Sequence, residues 1–312
     1  MKKRYPFWRL HAEALALRTA RLLIPLLPRR LVVALAGALG GMAYALSGRD
    51  RRVALANLET VLGDAHDAAA CRAIARQAFC TMVLLGLDFL WFSVRTGARL
   101  RRYTRLDDSG DLPSGSAIGV AAHLGNWEIL GHMCALHYGS ITSVAAELRN
   151  PRVNRLVLRM RQASGQRVIP QRGAIRELMR SLRAGGVAAL LVDQNTLPAK
   201  GGIFVDFFGR PVPITRAVAA LQLRTAAPVY FSFSLPDARG IYTLYCRKVA
   251  LPAEGQRDER AVTQAVADTI EAAIRENPGR WMWMYKRWKF IPEGADAARY
   301  PGYARPIEAG EL

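Results

Sequence analysis

Three short apolar runs constrain this chain most. AIGVAA (117–122), which follows a glycine- and serine-rich turn, GVAALLV (186–192), which stops at Asp193, and APVYFSFSL (227–235) have the length of buried strands. Between them lie stretches with helical periodicity, notably NRLVLRMRQAS and GAIRELMRSLRAG. Near the end Val262, Val266, Ile270 and Ile274 recur every four residues until Pro278-Gly279 stops the pattern. Strands separated by helices of this length predict an α/β fold with a largely parallel central sheet flanked by helices. The chain has 312 residues, 51% of them apolar, and no long Pro/Gly/Ser-rich segment divides it, so one large domain is expected.

The front of the chain has a different character. Residues 1–60 hold eleven Lys/Arg against three Asp/Glu, a large part of a net charge of +19. Such a balance calls for a polyanionic partner: nucleic acid, anionic lipid or a phosphorylated substrate. LVVALAGALGGMAYAL (31–46) is sixteen residues without a charge, set between Arg29-Arg30 and Arg49, Arg51 and Arg52. As a helix it would rise about 24 Å, short of a hydrocarbon core of roughly 30 Å. With MKKRYPFWRL and RTARLLIPLLPRR upstream, residues 1–50 read as a membrane-associated helical segment, spanning or lying on the surface. A signal peptide fits less well, since His11, Glu13 and Arg18 interrupt the stretch after Lys2, Lys3 and Arg4. Residues 51–95 continue as a helical lead-in, with Val53, Leu58, Ile74, Phe79, Val83 and Leu87 at helical spacing. The four cysteines are irregularly spaced and suggest neither a disulfide framework nor a metal site.

IGVAAHLGNWEIL (118–130) sets a histidine and a glutamate five positions apart. On one continuous helix they would point about 140° apart. If 117–122 is a strand, His123 emerges at its carboxyl end, Leu124-Gly125 turns, and Asn126 caps a helix that begins with Trp127 and Glu128. The two side chains can then meet at the sheet edge where open α/β folds bind ligands. A histidine held by a carboxylate can take a proton from a hydroxyl group. No GxSxG elbow is present, and no serine or cysteine stands beside the pair, so the expected nucleophile is the substrate's own hydroxyl. The bland alternative is a histidine packing a loop and a glutamate at a helix start.

These residues, with RRVALANLE (51–59), LRNPRVNRLVLRMR (148–161), DQNTLPAKGGIFVDFFGRPVPITR (193–216) and NPGRWMWMYKRWK (277–289), make the chain resemble the lipid A biosynthesis acyltransferases, the late lauroyl/myristoyl transferases within the lysophospholipid acyltransferase group. The resemblance runs from about residue 5 to 290. It implies a glycerolipid-acyltransferase-like fold over 51–312 and transfer of an acyl group from an acyl carrier protein thioester to a hydroxyl of a Kdo-bearing lipid A precursor. A lysophospholipid or another glycolipid is the alternative acceptor. His123 matches the family's general base and Glu128 its charge-relay partner. Arg149 matches an arginine suited to phosphate or to an oxyanion, with Arg159 and Arg161 as alternatives. Asp193 and Gln194 end the second run and either face the cleft or cap a turn. Gly125 and Asn126 shape the turn and complete the expected substrate-binding set.

The resemblance further implies no cofactor beyond the carrier thioester and no metal. It implies an acidic carrier protein and an anionic or phosphorylated membrane lipid as partners, no nucleic acid, and an inner-membrane location with the catalytic domain facing the cytoplasm. Phe204, Phe207 and Phe208 either wall an acyl channel or pack the core. Trp281, Trp283 and Trp288, interleaved with Lys286, Arg287 and Lys289, suit a headgroup-level membrane surface.

Overall fold

The computed structural model describes residues 6–108 and 112–312. Lys2, Lys3 and Arg4, and Ser109 to Asp111 of the turn-rich segment, lie outside the described residues. Five helices come first: α1 (Phe7–Leu23), α2 (Arg29–Leu46), α3 (Gly48–Leu62), α4 (Ala68–Trp91) and α5 (Thr96–Tyr103). Prolines 25 and 28 part α1 from α2, since proline cannot continue a helix interior. Asp67 caps α4 by accepting from the Ala70 amide at 2.7 Å.

The remainder alternates strands and helices. In order come β1 (Thr104–Leu106), β2 (Ala117–Ala121), α6 (Trp127–His137), β3 (Ile141–Ala145), α7 (Pro151–Arg161), β4 (Arg167–Pro170), α8 (Ala174–Arg183) and β5 (Val187–Leu191). A hairpin of β6 (Gly202–Phe207) and β7 (Arg210–Thr215) leads to α9 (Ala217–Thr225), β8 (Val229–Pro236), β9 (Tyr242–Lys248) and α10 (Glu259–Glu276). A short parallel pair, β10 (Phe290–Ile291) and β11 (Arg305–Pro306), closes the chain.

The seven-stranded sheet has the order β1-β9-β8-β2-β5-β3-β4. From β8 to β4 all neighbours are parallel, whereas β9 runs antiparallel to β8. The connections from β2 through α6 to β3 and through α7 to β4 move one way along the sheet. Those from β4 through α8 to β5 and onward through α9 to β8 move back. Right-handed crossovers therefore set α6 and α7 on one face and α8 and α9 on the other. β2 and β5 are neighbours whose chains leave to opposite faces, which is the topological switch point where a crevice opens.

Buried apolar side chains fill both faces, Ile118 and Val120 of β2 with Ala188 of β5 on one and Ala117 of β2 with Val187 of β5 on the other. Val32, Ala36 and Gly40 of α2 form its buried stripe. A Cβ on Gly40 would lie 2.4 Å from the Cys80 Cα, so only glycine allows α2 to pack this closely on α4. Both α2 and α4 are long and apolar enough to cross a membrane. The outer surface of α1 and α2 is apolar: Phe7, Trp8, Leu15, Leu22, Leu26, Met42 and Leu46 are each more than half exposed.

The tryptophan segment differs from its sequence reading. Trp281, Trp283 and Trp288 are 0–1% exposed and pack edge-to-face or stacked with one another and with Phe207 and Phe208. Interleaved cations usually mark an interfacial stretch, but here irregular backbone turns all three indoles inward. Phe207 and Phe208 are likewise core residues.

Candidate active site

β2 and β5 pair with Ala121 opposite Leu191. Two residues beyond, at the same sheet edge, the imidazole of His123 meets the carboxylate of Asp193, with Nδ1 and Oδ1 2.7 Å apart. The other carboxylate oxygen accepts from the His123 backbone amide (2.9 Å) and from the Trp281 indole (2.8 Å). Three donors thus converge on one buried carboxylate. Burial raises the Asp193 pKa, but His123, Trp281 and the amide outweigh it and hold the group below its ordinary value.

With Nδ1 donating to Asp193, Nε2 is the ring's free base. The Gln194 amide nitrogen approaches it at 3.3 Å. Gln194 is exposed, so this is the solvent side of the pair. Trp127 packs against the imidazole, ring centroids 4.5 Å apart, and limits its rotation.

The turn around His123 is held from behind. Gly125 has φ of +67°, and a Cβ there would lie 2.0 Å from the Ser234 carbonyl oxygen, so neither the conformation nor the space admits a side chain. Its amide donates to Arg280 at 2.9 Å, and Met282 donates to the His123 carbonyl at 3.2 Å. Asn126 caps α6 through the Ile129 amide at 3.1 Å and donates to the Tyr242 hydroxyl at 3.0 Å. That hydroxyl donates to Asp88 at 2.6 Å, and Asp88 forms a two-pronged ion pair with Arg29. Burial opposes the Arg29 charge, but Asp88 outweighs it and keeps the guanidinium above its ordinary range. The first residue of α2 is thereby tied, through α4 and β9, to the cap of α6.

Glu128 has another partner. It takes both ends of the Arg161 guanidinium, at 2.9 and 2.6 Å, in a pair joining α6 to α7. At the second position of α6, Glu128 points toward the neighbouring helix rather than back over the sheet edge, and Asp193 occupies the imidazole nitrogen that the sequence reading assigned to it. Burial lowers the Arg161 pKa, but Glu128 outweighs it and the charge is retained.

Arg149 lies exposed on the loop between β3 and α7, which also leaves the carboxyl edge of the sheet, and Arg159 is exposed on α7. Asn150 caps α7 through Arg152 at 3.0 Å and donates to the Leu10 carbonyl of α1 at 2.9 Å. His132 stands apart: its Nδ1 is 2.7 Å from the Ser164 hydroxyl, and burial pushes its pKa down to about 4.

Sequence reasoning reached His123, Asp193, Gln194, Gly125 and Asn126, but not Trp281 as a carboxylate donor, Arg161 as the Glu128 partner, or Asp88, Tyr242 and Arg29. The last three are scattered over more than 200 positions and carry no local motif.

An imidazole oriented by a buried carboxylate, with no serine or cysteine beside it among the described residues, lies where β2 and β5 leave the sheet for opposite faces, an arrangement with the geometry that general-base chemistry requires. Residues 12–290 match the family described as bacterial lipid A biosynthesis acyltransferase, and the chain belongs to that family. A phosphatidylinositol mannoside acyltransferase of Mycobacterium tuberculosis is 28% identical over 181 residues, covering 55% of this chain and 54% of the relative. One of Mycolicibacterium smegmatis is 28% identical over 178 residues, covering 55% and 56%. The chain thus spans about half the length of the curated relatives it matches.

Proposed function

We propose that this protein transfers a fatty acyl group from a carrier thioester to a hydroxyl of a membrane glycolipid. The single observation that carries the reading is the 2.7 Å contact between His123 Nδ1 and Asp193, which leaves Nε2 free as a base on the exposed side. Nε2 removes the acceptor hydroxyl proton as the oxygen attacks the thioester carbonyl carbon. The tetrahedral intermediate collapses, the carbon–sulfur bond breaks, and the imidazolium returns its proton to the thiolate. Asp193 holds the tautomer and stabilises the imidazolium. Arg149 is the proposed contact for a headgroup phosphate or the oxyanion, with Gln194 beside the base as a substrate contact.

The relatives named as phosphatidylinositol mannoside acyltransferases favour a glycolipid other than a lipid A precursor as acceptor. The lipid A precursor is kept as the second reading because of the family match. The proposed donor is an acidic acyl carrier protein. The proposed setting is the cytoplasmic face of the inner membrane, with the apolar surface of α1 and α2 in the lipid.

The test incubates detergent-solubilised protein with acyl carrier thioesters and three acceptors: a mannosylated phosphatidylinositol, a tetra-acylated Kdo-bearing lipid A precursor and a lysophospholipid. Products are weighed by mass spectrometry. Gain of one acyl mass on a glycolipid, abolished by His123→Ala, supports the reading, and the preferred acceptor decides between its two forms. Acylation of the lysophospholipid alone would overturn the glycolipid assignment, and no acylation of any acceptor would overturn acyl transfer.

A further inference from the structure

A groove of about 680 Å³ runs between α3 and the C-terminal segment, lined by Arg49, Arg52, Val53, Ala56, Lys286 and Tyr303. Arg49 and Arg52 stand one turn apart on the exposed side of α3. Lys286 comes from the C-terminal segment, its ammonium 5.1 Å from the centre of the Tyr303 ring. Among the described residues none of these three cations is ion-paired. Glu59, which also lines the groove, sits about two helical turns beyond Arg52. The site is thus a concave, largely apolar channel whose charged lining is three cations without an ion pair and one carboxylate.

The groove wall is bonded to the catalytic loop. Asn57 of α3, fully buried, donates to the carbonyls of Trp283 (2.7 Å) and Tyr285 (2.9 Å). The Asn195 side-chain amide donates to the Lys286 carbonyl at 3.0 Å, and its backbone amide donates to the Tyr285 hydroxyl oxygen at 3.1 Å. Asn195 follows Asp193 and Gln194 directly, so the backbone of Lys286 is one hydrogen bond and one residue from the side chain that touches His123 Nε2.

The occupant is indicated by where apolar side chains are exposed. Those suited to a bilayer lie on α1 and α2, whereas α3 and residues 224–311 expose no large apolar side chain. A cationic channel without an apolar rim suits a water-soluble acidic protein better than a lipid surface.

We propose that this groove docks the acidic carrier protein that brings the acyl thioester. Carboxylates of the carrier would meet Arg49, Arg52 and Lys286, and its phosphopantetheine arm would run past Asn195 to His123. The proposal rests on the acyl-transfer reading above and names the donor surface of that site.

The test compares kcat and KM for two donors, an acyl carrier protein and the corresponding acyl-pantetheine, which lacks the protein surface. The variants are Arg49→Glu/Arg52→Glu and the triple change that adds Lys286→Glu, each checked by thermal melting. The expected result is a KM for the carrier raised at least about tenfold more than that for acyl-pantetheine, with the salt dependence of the carrier KM flattened. Equal effects on the two donors, or an unchanged carrier KM, would overturn the docking site. So would loss of binding to anionic vesicles with the carrier KM intact, which would make the groove a lipid contact. Binding of the holo-carrier is titrated in parallel. If the wild-type protein acylates nothing yet binds carrier, and charge reversal removes that binding, the acyl-transfer reading falls and the docking surface stands.

Discussion

His123 and Asp193 oppose one another because their strands do. Ala121 pairs with Leu191 across the parallel β2–β5 ladder, and two residues further along each chain stand the imidazole and the carboxylate, 2.7 Å apart. The contact lies at the carboxyl edge of the sheet, where the neighbours β2 and β5 leave for opposite faces.

Asp193→Asn and Glu128→Gln are expected to behave differently. The amide at 193 removes the acceptor that fixes the His123 tautomer, and kcat should fall by about 10³-fold or more with a small change in melting temperature. Glu128→Gln weakens a pair between α6 and α7, so its chief cost should be stability, about 1–2 kcal/mol. Steady-state kinetics and denaturant melts on both variants decide this. A larger kcat loss at Glu128 than at Asp193 would return the carboxylate role to Glu128.

Gly125→Ala should be among the most damaging small changes. It adds a methyl group 2.0 Å from the Ser234 carbonyl at a φ of +67°. We expect a loss of about 2 kcal/mol or more together with loss of activity, because the turn that presents His123 must shift. A chemical denaturation curve and a single-point assay suffice.

Arg29→Met is expected to destabilise by about 3–5 kcal/mol, since it leaves the buried Asp88 charge without its partner. The double change Arg29→Met/Asp88→Leu should recover a good part of that loss. Recovery would be read as a positive coupling energy in a double-mutant cycle, and additive effects would show that the two side chains do not act as a pair.

The pH dependence of stability follows from His132 and Asp193. The His132 pKa is depressed to about 4, so its neutral form is the native one. Its contribution is complete above the ordinary histidine value near 6.5 and is lost as pH falls from there toward 4. The Asp193 pKa is also lowered, so its contribution is complete above the ordinary value of about 3.9 and lost at still lower pH. Melting curves of the wild type and His132→Gln from pH 8 to 4 should converge or cross on the acid side. Parallel curves would exclude His132 as the source.

Substituting serine for Leu15, Leu22 and Leu26 should reduce partition onto vesicles by at least about 100-fold, because each exposed leucine is worth up to about 1.5–3 kcal/mol when buried in lipid. Flotation with liposomes tests this, and unchanged partition would move the membrane contact elsewhere.

Much of the architecture was legible locally. Each of the three apolar runs forms a central strand, β2, β5 or β8, and the four-residue repeat of Val262, Val266, Ile270 and Ile274 becomes α10. β4 and β9 were not legible: RVIP is too short to show a period, and YTLYCRK mixes polar and apolar positions as a strand near the sheet's edge does. The candidate site was legible as a strand end followed by a turn and a capped helix. Its pairing was not, because a carboxylate five residues away and one seventy residues away are equally compatible with a histidine in a linear reading.

What the sequence by itself determined is whatever depends on neighbours along the chain: strands by apolar runs, helices by period and caps, the glycine turn, and the basic, apolar front. Tertiary structure alone decided which carboxylate holds His123, that Glu128 belongs to Arg161, and that three tryptophans among cations lie in the core. Those outcomes depend on strand order and parallel register, which bring the ends of β2 and β5 together and send Glu128 to the next helix. Hydrogen bonds between such distant groups form only once the sheet has set their positions.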